Sequence, residues 1–151
     1  MLSTPWAQRK NKYDFVIIGS GYGGAIAAAR LASASLDPKP SVCILERGKE
    51  RQPGEFPETL AGVIGEERNS SNPLGMFELL TYPDISVMKG SGLGGTSLIN
   101  ANVAIEPDQE VFEQFHWPSA ITLAELRPYY DKAREVLAPS KHPRALQLVK
   151  V

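Results

Sequence analysis

Gly19-Ser20-Gly21-Tyr22-Gly23-Gly24 puts glycine at the first, third and sixth places of G-x-G-x-x-G. Each glycine has its own physical reason in such a loop. The first allows a tight turn out of a strand. The second lets the backbone approach a pyrophosphate with no Cβ in the way, and the third lets a helix pack close to the strand. The anion then rests on free amides at the positive end of the helix. A carboxylate, Glu46, follows 25 residues after Gly21, where it can accept hydrogen bonds from the hydroxyls of an adenosine ribose and repel a 2′-phosphate. The chemistry so implied is dinucleotide binding, with NADP disfavoured. FAD and NAD share the ADP half, and these residues alone do not separate them.

The elements that must hold this loop are legible around it. Tyr13-Asp14-Phe15-Val16-Ile17-Ile18 is short, β-branched and apolar on both faces, which predicts a strand buried in a parallel sheet with layers above and below. Gly24 to Ser35 is rich in alanine and predicts a helix that lies close to the sheet. Asp37-Pro38-Lys39-Pro40 ends it. Ser41 to Leu45 is a second strand, so the two strands and the helix make a right-handed βαβ unit. From Gly48 to Asp84 the pattern is broken by four prolines and four glycines beyond Gly48 itself. An irregular excursion is expected there, with one short helix near Thr59 to Glu67. Thr122-Leu123-Ala124-Glu125 reads as a capping box, and Leu126, Tyr130, Ala133 and Leu137 repeat at helical spacing. Pro128 is expected either in the first turn of that helix or between two helical pieces. The fold class expected is α/β, a partial Rossmann-like domain: a βαβ unit, an irregular segment and a C-terminal helix. Residues 1–12 read as a loosely ordered lead-in, and 13–151 as one incomplete domain.

A second glycine cluster carries a family resemblance. Gly90-Ser91-Gly92-Leu93-Gly94-Gly95-Thr96-Ser97-Leu98-Ile99-Asn100-Ala101-Asn102 resembles the first signature segment of the glucose–methanol–choline (GMC) oxidoreductases. The run through Val103-Ala104-Ile105-Glu106-Pro107 is similar to the cholesterol-oxidase branch. With Tyr13 to Gly24 and Leu45-Glu46-Arg47-Gly48 upstream, the resemblance covers Tyr13 to about Pro139. It implies FAD as cofactor. Tyr22, Gly23 and Glu46 would hold the ADP half, Gly95 and Thr96 would approach the pyrophosphate, and Asn100, Ala101 and Val103 would line the isoalloxazine. Gly19, Gly21, Gly24, Gly90 and Asn102 complete the expected cofactor-binding set. Ala101, Asn102 and Val103 depart from the cholesterol-oxidase pattern, which weighs against a sterol substrate. The resemblance also implies hydride transfer from an alcohol CH–OH group to FAD, with an active-site His paired to Asn or His. That segment and the substrate domain lie further along the family's chains and have no match here, so no catalytic residue is assigned, and the chain alone is expected to be inactive and marginally stable. Two other readings carry weight: a non-catalytic nucleotide-binding module and an NAD-binding Rossmann protein.

Composition narrows the partners. A formal net charge of -1 offers no footprint for nucleic acid or an anionic membrane. The apolar runs are too short to cross a bilayer and Met1–Lys12 lacks a secretory h-region, so a cytoplasmic location is expected. Cys43, the single cysteine, reads as a small packed hydrophobe. His116, beside Trp117 and Pro118, and His142 read as structural, and no metal site is expected.

Overall fold

The computed structural model describes residues 1–141, so His142 lies outside the described residues. The chain divides into two compact units, Met1–Ala101 and Asn102–Val151.

The first unit is built on the βαβ motif. Strand β1 (Phe15–Ile18), helix α1 (Tyr22–Ala32) and strand β2 (Val42–Leu45) follow in order. β1 and β2 pair in parallel, with Phe15 opposite Val42 and Ile18 opposite Leu45. Helix α1 ends three residues earlier than its composition suggests. Ser33 leaves the helical path at φ -93° and ψ 0°, and its amide donates to Ala29 O. The unit has the α/β core of a Rossmann-like fold.

Two expectations fail in this unit. Strands apolar on both faces were expected to be buried on both, yet most of β1 is exposed and Ile18 is 88% accessible. The reason is that β1 and β2 form a sheet of two strands among the described residues. The buried apolar residues there are few: Ala28 on α1, and Met76 with Phe77.

The second correction lies in the stretch expected to be irregular. Its short helix is present as α2 (Leu60–Gly65), capped by the Thr59 hydroxyl, which accepts from Gly62 N at 3.1 Å. The residues beyond it, however, form a hairpin. Strands β3 (Phe77–Thr81) and β4 (Ser86–Gly90) pair antiparallel, with Phe77 opposite Gly90 and Thr81 opposite Ser86. Tyr82 N donates to Ile85 O at 2.9 Å to close the turn. Three cations gather on Glu78 of β3. The Glu78 carboxylate lies 2.8 Å from Arg47, 2.8 Å from Lys89 and 3.8 Å from Arg68. Hydrogen bonds from Lys89 and then Arg47 lower its pKa to about 2. Beneath the hairpin, Arg51 is buried and bonded through both terminal nitrogens to Glu66.

Residues 1–12 include a 3-10 turn at Trp6–Gln8. The Glu50 carboxylate accepts from Leu2 N at 2.7 Å, Ser3 N at 2.8 Å and Ser3 Oγ at 2.7 Å. These bonds, the Ser3 amide first, lower its pKa to about 2.

In the second unit the short helix α3 (Gln109–Phe112) precedes α4 (Leu123–Leu137). The capping box is formed: Thr122 Oγ1 accepts from Glu125 N, and Glu125 Oε2 accepts from Thr122 N at 2.9 Å. Neither expected position for Pro128 is found, because α4 runs unbroken through it beyond its first turn. Its missing N–H leaves one helical acceptor unused, and the helix continues behind the cap at its start although its apolar stripe holds no buried residue. His116 stacks edge-on against Phe115, and Trp117 Nε1 donates to Ile121 O at 2.6 Å. Among the described residues no helix is long and apolar enough to cross a membrane, and no cluster of three His, Cys, Asp or Glu could hold a metal.

Candidate dinucleotide site

The first loop is shaped by the strand that ends in it. Gly19 sits at φ +91°, in the left-handed region that favours glycine, and turns the chain out of β1. Gly19 N donates to Leu45 O at 2.8 Å, so the turn is tied to the end of β2. Two residues on, Gly21 takes the N-cap position of α1 with no side-chain cap, and the first turn of the helix holds no acid. The first intrahelical bond runs from Ala25 N to Gly21 O. The amides before it have no acceptor within the helix and lie at its positive end.

The glycines of this loop divide by what surrounds them. A Cβ on Gly24 would stand 2.0 Å from Gly19 O and 3.3 Å from Ile17 Cγ2, so helix and strand meet there in direct contact. A Cβ on Gly21 or Gly23 would meet nothing within 4 Å. Gly21 opens onto space, and its φ of -64° suits any residue.

Hairpin β3–β4 delivers the second cluster to the first. β4 ends at Gly90, and Gly95–Leu98 forms a 3-10 turn. Gly95 lies against Gly21: a Cβ on Gly95 would stand 2.9 Å from Gly21 Cα. Gly90 is packed under the turn, where a Cβ would come within 2.5 Å of Gly95 O. The Thr96 hydroxyl accepts from Gly90 N at 3.2 Å and pins the start of this turn to the end of β4.

Between the loops lies a crevice of about 490 Å³, lined by Gly19, Gly21, Glu46, Gly90, Gly95 and Thr96 among the expected residues. Its volume falls in the range of small-molecule clefts. Glu46 stands in the wall. Its Oε2 accepts from Ser20 N at 2.9 Å and Ser20 Oγ at 2.6 Å, and its Oε1 accepts from Gly48 N at 2.8 Å. Partial burial disfavours the charge, but the bonds from the Ser20 hydroxyl and the Gly48 and Ser20 amides outweigh it and lower the pKa. A carboxylate offers about four acceptor positions, so these three bonds leave room for about one more hydroxyl.

The remaining expected residues are placed as follows. Tyr22 opens α1, and its phenol oxygen accepts from Asn100 Nδ2. Gly23 follows it, open to solvent on its Cβ side, and Ala101 closes the first unit. Asn102 and Val103 begin the second unit, Asn102 at φ +54° and Val103 exposed. Ser20, Ile18, Leu45, Arg47, Lys89 and Ser91 stand outside the expected set, although Ser20 binds Glu46 and the other five line the crevice. Ser20 and Ser91 had a signal available, each being a small polar residue enclosed between two glycines. Lys89 had none without the hairpin.

No family model matches the chain. Similarity to curated proteins is extensive. Cholesterol oxidase of Mycobacterium tuberculosis (strain ATCC 25618 / H37Rv) is 32% identical over 139 residues, 89% of this chain and 23% of that protein. Oxygen-dependent choline dehydrogenase of Acinetobacter baumannii (strain AYE) is 32% identical over 136 residues, 81% of this chain and 23% of its own. An uncharacterized GMC-type oxidoreductase of Rhodococcus erythropolis is 30% identical over 128 residues, 80% of this chain and 24% of its own. Over most of its length, then, the chain is similar to GMC oxidoreductases. It spans less than a quarter of the length of these relatives. Both glycine clusters lie on one compact unit, Met1–Ala101.

Proposed function

We propose that this chain is the FAD-binding portion of a GMC oxidoreductase that oxidises the CH–OH group of an alcohol. The observation that carries the reading is the meeting of the two glycine-rich loops in one crevice with Glu46 in its wall. The chain's own residues divide the work of binding. Amides in the first turn of α1 face the diphosphate charge, and Gly21 supplies the bare backbone over which it lies. Glu46 accepts a ribose hydroxyl at its remaining position. Gly90, Gly95 and Thr96 wall the pyrophosphate, and Asn100, Ala101, Asn102 and Val103 are assigned to the flavin side on family resemblance. Bound FAD supplies a flavin ring that accepts hydride from the alcohol carbon. The proton of the alcohol needs a base that we assign to no residue of this chain.

Gly21→Val tests the placement cleanly, because the open space beside Gly21 lets the fold accept a side chain that a phosphate does not tolerate. The variant is expected to keep the parent's unfolding midpoint and lose FAD, read as flavin absorbance released on denaturation. Retention of FAD at the parent's level, or release of NAD in its place, overturns the proposal.

A further inference from the structure

Ser20 is 5% exposed and hydrogen-bonds both Glu46 in the crevice wall and the backbone of the second glycine cluster at Gly92 and Gly94. Its hydroxyl has one proton to give. Glu46 Oε2 at 2.6 Å takes it ahead of Gly92 O at 3.4 Å. The same oxygen accepts from Gly94 N at 2.9 Å. Ser20 N–H adds a second bond to Glu46 at 2.9 Å. One hydroxyl therefore joins the acid on β2's end to the backbone of the second glycine cluster, across 26 residues on one side and 74 on the other.

We infer that Ser20 is a positioning residue that sets the Glu46 carboxylate for a ribose hydroxyl and locks the two glycine loops together. The inference rests on the proposed dinucleotide site. Alanine at this position removes the oxygen and little volume. Glu46 keeps bonds to the Ser20-position amide and to Gly48 N but loses its closest partner, while Gly94 N–H loses its acceptor. A bond to a charged acceptor is strong and directional. Its loss is felt most where Glu46 must choose between a ribose that has its hydroxyls and one that lacks them.

The experiment is calorimetric titration of the whole chain with ADP and with 2′-deoxy- and 3′-deoxy-ADP. The parent is expected to favour ADP over at least one deoxy analogue by about tenfold, the scale of one charge-assisted bond. Ser20→Ala is expected to bind ADP more weakly and to bring that preference close to one, and Ser20→Thr to keep it. General destabilisation would weaken all three ligands alike. A Ser20→Ala variant that keeps the parent's preference overturns the positioning role and leaves the dinucleotide site standing. A parent that binds neither ADP nor FAD overturns the site and this inference with it. The parent alone supplies a second check: its Gly94 amide should exchange with deuterium slowly, and exchange at the rate of an open loop overturns the lock.

Discussion

Gly24 and Gly21 stand three residues apart and make opposite demands. The Cβ of an alanine at position 24 would sit 2.0 Å from Gly19 O, a backbone atom that moves only if the turn out of β1 moves. Gly24→Ala is therefore expected to destabilise the first unit by about 1–3 kcal/mol or more, the scale of overpacking, measured as a fall in the urea midpoint. Gly21→Val should leave that midpoint in place. The acids supply a second test. Glu46, Glu50 and Glu78 all have lowered pKa values, Glu50 and Glu78 to about 2. Each binds fewer protons folded than unfolded once the pH falls below their ordinary value of 4.5. The stability they contribute is whole above pH 4.5 and drains as the pH approaches about 2. The urea midpoint should fall steadily over that window, and Glu78→Gln should flatten the fall; a midpoint independent of pH contradicts the bonding described for these groups.

At the scale of elements, α4 carries one feature that strengthens it and one that weakens it. Thr122→Ala removes the capping box and is expected to lower the helix's stability by about 1 kcal/mol, read as lost helical ellipticity and an earlier thermal transition. Pro128→Ala restores a helical N–H and should move both in the other direction. Helices α1, α2 and α4, the cap and the parallel pair were legible because their signals are local: alanine-rich composition, a Thr-x-x-Glu box, β-branched runs beside a glycine turn. Helix α3, of four residues, was not, and neither was the hairpin. Leu79 and Leu80 are adjacent and break the two-residue alternation, and Pro83 sits in the loop that joins the strands. What makes β3 a strand is its partner, together with Arg47, Arg68 and Lys89 gathered on Glu78 from other segments. No window of neighbouring residues contains that information. The site followed the same division. Its glycines and Glu46 announce themselves by spacing, whereas Lys89 reaches the crevice only because the hairpin folds.

For the molecule as a whole, the first unit leaves much apolar surface uncovered. Val16 and Ile18 on a sheet of two strands, and Tyr22 and Ile26 on the helix beside it, are all more than half exposed. Such faces and edges favour association. The chain is expected to bind a hydrophobic dye and to form larger species as its concentration rises, checked by sedimentation velocity; a dye-silent monomer at high concentration contradicts it. The uneven surroundings of the glycines carry a consequence for inheritance. Replacements at Gly24 and Gly90 collide with the chain itself, whereas those at Gly21 and Gly23 meet nothing within 4 Å. In a randomised gene library sorted only for soluble product, codons 24 and 90 should remain glycine while 21 and 23 diversify. Sorting the same library for retained nucleotide should purge variation at 21 as well, so the two survivor populations would write out, codon by codon, which constraint belongs to the polypeptide and which to its guest.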